Sequence, residues 1–107
     1  MKRKKPRIKR RIYIKQRRPT NRNFDDPVYK EWRRKVYARD KYTCQYPGCG
    51  AKKNLHAHHI RKWAEYPLLR FDPNNGITLC YKCHKKVQNR EDYFMAMFLN
   101  ILRIQKL

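Results

Sequence analysis

The sequence predicts a small α+β domain stapled by zinc and preceded by a basic tail. Three observations predict it. Two short apolar stretches, 54–60 and 76–80, read as strands set among segments of helical period. Four cysteines fall in two close pairs. The chain has only 107 residues, and a core of that size usually needs a metal, a disulfide or an oligomer beside it.

Residues 1–23 hold twelve of the 29 Lys and Arg residues and no acid. Self-repulsion and few apolar side chains leave little to offset the entropy of ordering this tail, so it should be disordered alone. The net charge of +21 points to a polyanionic partner. No apolar run approaches the roughly 20 residues of a membrane-spanning helix. The basic start is not followed by the apolar stretch of a signal peptide, which argues for a cytoplasmic chain.

A helix start is signalled at Asp25-Asp26-Pro27, an acidic cap followed by the one residue whose missing N–H does no harm in a first turn. From there Tyr29, Trp32 and Val36 recur at helical spacing, which leaves Arg33, Arg34, Lys35 and Arg39 mainly outside and ends the helix near Asp40. The turn-rich stretch 41–50 follows, then two strands joined by a long loop, 61–75, interrupted by Pro67 and Pro73. Residues 81–87 read as a helix. The last segment, 91–107, sets Phe94, Phe98, Ile101 and Ile104 along one stripe of a second amphipathic helix, with Met95, Met97, Leu99 and Leu102 widening it. That stripe either folds back on the core or meets another copy or a partner. Three units result: a tail over 1–23, a domain over 24–90 and a carboxy-terminal helix over 91–107.

Cys44 and Cys49 are separated by four residues, Cys80 and Cys83 by two. Each pair can turn its sulfurs to one point, and four thiolates close a tetrahedral shell, which makes the site structural. In a reducing compartment this reading is preferred to disulfides.

Between and beside these pairs lie His56-Ala57-His58-His59-Ile60, then Asn75-Gly76-Ile77-Thr78-Leu79-Cys80, then Cys83-His84. This arrangement resembles the HNH endonuclease family with a paired-cysteine zinc site, particularly its small phage-encoded members. The resemblance runs from Trp32 to Val87 and takes in Arg39-Asp40, Leu69-Arg70 and Asp72. It implies a ββα-metal, treble-clef-like fold and a metal-dependent nuclease that nicks or cuts double-stranded DNA.

On that mapping the catalytic residues are His59, Asn75 and His84. His59 is the general base, since an imidazole with a pKa near about 6.5 accepts a proton from water at neutral pH. His58 and His84 hold one divalent cation that can stabilise charge on the phosphate. Asn75 pins the long loop and so orients His59. Many relatives have an aspartate where this chain has His58, so the catalytic ion is expected among manganese, nickel, zinc and magnesium, with manganese or nickel outperforming magnesium. Neighbours on a strand point to opposite faces, so His58 and His59 require a strand end or a bulge to share one centre. His56 is read as packed or touching phosphate rather than as a ligand.

Arg61, Lys62, Arg70, Lys82, Lys85 and Lys86 flank the proposed centre in sequence and are candidate DNA contacts, mostly to phosphates, which implies weak sequence specificity. Trp63 and Tyr66 either stack on DNA or cover the loop. The resemblance further implies an association with the phage terminase and portal in genome packaging, in the host cytoplasm. The oligomeric expectation is a monomer or weak homodimer. The rival reading is a non-catalytic zinc-finger protein that binds nucleic acid, which needs the cysteines and the charge but not a His-His pair with Asn75 and His84.

Overall fold

The computed structural model describes residues 23–105. The basic tail expected over 1–23 therefore lies outside the described residues except for Asn23, as do positions 106 and 107. Helix α1 spans Pro27–Arg39, with the Asp26 side chain accepting from the Val28 N–H at 2.9 Å as its cap. Tyr29, Trp32 and Val36 are buried along one face, and Trp63 reaches back from the long loop to join them.

After α1 the chain reverses through Lys41 and Tyr42, both left-handed at φ 56° and 52°, and enters the first cysteine pair. Strand β1, Leu55–His59, pairs antiparallel with β2, Gly76–Cys80, in a regular register that sets His59 opposite Gly76 and Leu55 opposite Cys80. The loop between them tightens into short 3-10 turns at Pro67–Leu69 and Pro73–Asn75. Helix α2, Tyr81–Val87, follows β2 directly, and α3 spans Glu91–Gln105. Among the described residues the architecture is thus a small α+β fold with a two-stranded antiparallel sheet, three helices and a cysteine cluster.

Strand β2 is buried along its whole length because both of its faces are covered. Ile77 and Leu79 join the larger core with Val87 from α2 and Phe94, Phe98 and Leu102 from α3. On the opposite face Gly76 lies beneath α1. A Cβ built there would come within 2.6 Å of both Trp32 Cζ2 and Val36 Cγ2, so the close approach of α1 requires glycine.

Two expectations need correction. Arg39 does not sit outside. Its guanidinium donates to the carbonyls of Pro73 (2.8 Å) and Gly76 (2.7 Å) and to the Asp40 carboxylate. Buried Asp40 in turn accepts from the Thr78 N–H at 2.9 Å. A carboxylate at that depth needs a cation beside it, and the nearest basic side chain is drawn inward to supply one. The α3 stripe is also narrower than the predicted one. Phe94, Phe98 and Leu102 are buried at spacings of four, while Ile104 is 55% exposed. The helix folds back on the core by this narrower stripe.

Candidate active site and metal centre

The four cysteine Sγ atoms all lie within 4.8 Å of one another. Cys49 Sγ and Cys80 Sγ are 3.8 Å apart, matching the edge of a tetrahedron with a metal–sulfur distance of about 2.3 Å. All four are unbonded to one another, whereas a disulfide brings its sulfurs to about 2.05 Å. The Cys83 backbone N–H aimed at Cys80 holds that thiol down, at about 7. Burial pushes the Cys44 and Cys83 thiols up. A donor set of four thiols in this arrangement can hold a metal ion such as zinc, which takes the place of the protons.

The histidines gather at a cleft of about 480 Å³ lined by His58, His59, His84, Lys62 and Trp63. His59 is the last residue of β1, so the expected device is a strand end, and the regular register through Gly76 contains no bulge. Its buried ring stacks on Trp32, with centroids 4.0 Å apart and planes at 12°. His59 Nε2 lies 2.9 Å from the Arg70 carbonyl oxygen. A carbonyl only accepts, so this contact places the ring proton on Nε2 and, in the neutral imidazole, the lone pair on Nδ1.

His58 takes the opposite face of β1, where its ring meets Phe98 edge-on at 5.6 Å. It also meets His84 of α2 at 5.6 Å, with planes at 70°. His56 stacks on His84 from the other side, at 5.0 Å and 9°. Imidazole lone pairs lie in the ring plane. The His58–His84 crossing can therefore bring two nitrogens to one ion, whereas the parallel His56–His84 stack aims its nitrogens along separate planes. His56 itself is exposed on β1.

Asn75 is buried between the strand end and the loop. Its Oδ1 accepts from the Arg61 N–H at 2.8 Å, and its Nδ2 donates to the carbonyls of Arg61 and Leu69, both at 3.2 Å. It thereby fixes the residue preceding Arg70, the partner of His59.

The six basic candidates are divided by the fold. Among them only Lys62 lines the histidine cleft, with Asp92 at 3.6 Å and Glu65 at 3.9 Å. The charge of Asp92, then that of Glu65, holds its ammonium pKa up. Arg61 donates to Met95 Sδ at 3.3 Å and sits over the Tyr66 ring. Arg70 donates to the Trp63 carbonyl at 2.8 Å and lies 4.5 Å over the Trp63 ring. Lys82 and Lys86 line a second cleft beside the cysteines, and Lys85 sits over Tyr81. Trp63 is buried and covers the loop, while Tyr66 is partly exposed. Sequence reasoning missed that Trp32 supports His59 and that Arg39 and Asp40 join α1 to β2. In the sequence Trp32 reads as part of a core face and Arg39-Asp40 as a helix end, all three within the span of the resemblance.

Two strands and a helix thus set a four-cysteine cluster beside histidines and an asparagine at the strand end. Residues 44–90 match the family model described as HNH endonuclease, and this segment carries all four cysteines, the histidines and Asn75. The match supports a nuclease with DNA as substrate or partner. No curated protein and no solved structure matches the chain. Among the described residues no helix is long and apolar enough to cross a membrane.

Proposed function

We propose that the chain is a metal-dependent endonuclease that hydrolyses phosphodiester bonds of double-stranded DNA with low sequence specificity. The contact from His59 Nε2 to the Arg70 carbonyl, braced by Asn75 through Leu69, carries this reading. It fixes the tautomer and plane of one imidazole at the edge of a cleft, as a general base requires.

His59 Nδ1 takes a proton from the attacking water. The imidazolium so formed keeps its Nε2–H bond to Arg70 O, and Trp32 beneath the ring resists its rotation. His58 and His84 would hold the divalent ion, which when bound supplies Lewis-acid stabilisation of charge on the phosphate. Lys62 adds a cation at the cleft wall, tempered by Asp92. The cysteine cluster would hold zinc for structure alone, since four protein ligands leave no position for substrate. By family resemblance the proposal extends to a phage-encoded protein acting with terminase and portal in genome packaging. A non-catalytic zinc module would account for the cysteines and the charge but leaves the His59–Arg70–Asn75 contacts without a purpose.

The test is His59→Ala in a supercoiled-plasmid nicking assay with added manganese and with a chelator control. Loss of at least about 100-fold in rate is expected, with zinc content unchanged. Retention of wild-type nicking removes His59 from the mechanism.

A further inference from the structure

Among the described residues β1 pairs only with β2, so its other edge borders open clefts. The histidine cleft lies at one end of that edge. A smaller cleft of about 280 Å³ lies toward the other, walled by Phe24, Tyr29, Arg33, Tyr37 and His56. The two share Ala57 and His84, so they meet at the middle of the strand. Five strand residues at about 3.3 Å each span about 16 Å, the length of roughly five stacked nucleotides at about 3.4 Å.

The walls of the smaller cleft are mostly flat rings, with Leu55, Ala57 and one cation; Tyr29 is itself buried, and Phe24 and His56 are the exposed rings. Phe24 is 55% exposed and meets Tyr29 edge-on at 5.2 Å. The Arg33 guanidinium lies 5.6 Å over the Tyr29 ring. Tyr37 is held in place by its hydroxyl, which donates to the Leu55 carbonyl at 3.2 Å. His56 stacks on His84, a proposed ligand beside the reacting phosphate. Among the described residues no acidic side chain lines this cleft. Aromatic faces with a guanidinium beside them suit a nucleobase and its phosphate, because stacking needs only a π-face and tolerates any base. A base inside a duplex presents no free face.

We infer that this aromatic cleft is a stacking subsite for one unpaired nucleotide close to the scissile phosphate, so that the preferred DNA is single-stranded, frayed or kinked there. The inference rests on the nuclease reading, which puts the phosphate at His58 and His84.

The test measures cleavage by the full chain on labelled single strands carrying one abasic site, moved stepwise across the scissile bond. A site at one position, on one side only, should slow cutting roughly tenfold. Phe24→Ala, whose exposed ring carries little of the core, should level that position with the others. Equal rates at every position in the wild-type chain overturn the subsite and leave the nuclease reading intact. Binding is read separately with His59→Ala protein, confirmed folded by circular dichroism, on strands carrying 2-aminopurine. Quenching confined to one position and relieved by Phe24→Ala supports the subsite, and no quenching at any position overturns it. Quenching without nicking of supercoiled plasmid by the wild-type chain refutes the nuclease reading alone.

Discussion

Asn75→Ala separates a positioning asparagine from one that merely closes a turn. The side chain makes three hydrogen bonds, one accepted from Arg61 N–H and two donated to the Arg61 and Leu69 carbonyls, in a site 4% exposed. At about 1 kcal/mol net for each neutral bond, truncation costs roughly 3 kcal/mol of stability. For a domain of this size that corresponds to a fall of roughly 10–20 °C in Tm. The loop segment Leu69-Arg70 loses its tether, and with it the carbonyl that orients His59. A displacement near 1 Å at a reacting group is worth about 100-fold in rate, so kcat for plasmid nicking should drop by about that factor while KM moves little. Imidazole ¹⁵N spectra should show His59 losing its fixed Nε2–H tautomer. Asn75→Asp keeps the acceptor for Arg61 N–H but turns an oxygen toward two carbonyls, and should rescue neither stability nor rate. A variant that keeps wild-type Tm, kcat and tautomer would refute the reasoning.

Three further outcomes can be checked directly. Gly76→Ala drives a methyl into Trp32 and Val36, both 2.6 Å away, and should lower stability by about 1–3 kcal/mol in urea titrations; an unchanged midpoint would mean that α1 shifts freely. Manganese or nickel should exceed magnesium in nicking rate at equal concentration, because His58 and His84 offer nitrogen rather than oxygen; equal rates with magnesium alone count against a two-histidine ligand pair. Stripping metal from the cysteine cluster should unfold the domain by circular dichroism, since the ligand-binding energy is largely folding energy; retained ellipticity in zinc-free protein would show that the core stands unaided.

Much of this fold could be read from the sequence because its signals are local. Asp26-Pro27 announces the start of α1, the spacing of Tyr29, Trp32 and Val36 announces its buried face, and the cysteine spacing announces the knuckles. Departures occur where a side chain's partner is distant in sequence. Arg39 lies on the flank of its helix, and only the carbonyls of Pro73 and Gly76, 34 and 37 residues onward, draw it inward. The α3 stripe narrows because the core offers depth to Leu102 rather than to Ile104, and periodicity alone does not choose among adjoining positions. The same limit governs the site. The residues at the histidine cleft were legible as a set, but the partition of Arg61, Arg70, Lys82, Lys85 and Lys86 away from it was not. Flanking position in sequence does not reveal which way a lysine on a seven-residue helix faces.

The two centres are coupled by the shortness of the elements that join them. Asn75 immediately precedes β2 and Cys80 ends it, while Cys83 and His84 are consecutive in α2. A helix of seven residues has little stability of its own, so α2 takes its position from Cys83 in the cluster and from Val87 in the core. Whatever fixes the sulfurs therefore fixes His84 on one side and, through five paired residues of β2, Asn75 on the other. A chelator that reached the sulfur-bound ion would abolish nicking without ever touching the ion at His58 and His84. Loss of activity on chelation thus fails to identify a catalytic metal unless the fold is shown to persist. The discriminating titration keeps the cysteine-bound metal in place, confirmed by metal content and circular dichroism, and varies only the weaker site. Activity that follows the added ion under those conditions belongs to the histidine pair, and activity that stays constant from zero added metal would leave His58 and His84 without a catalytic ligand role.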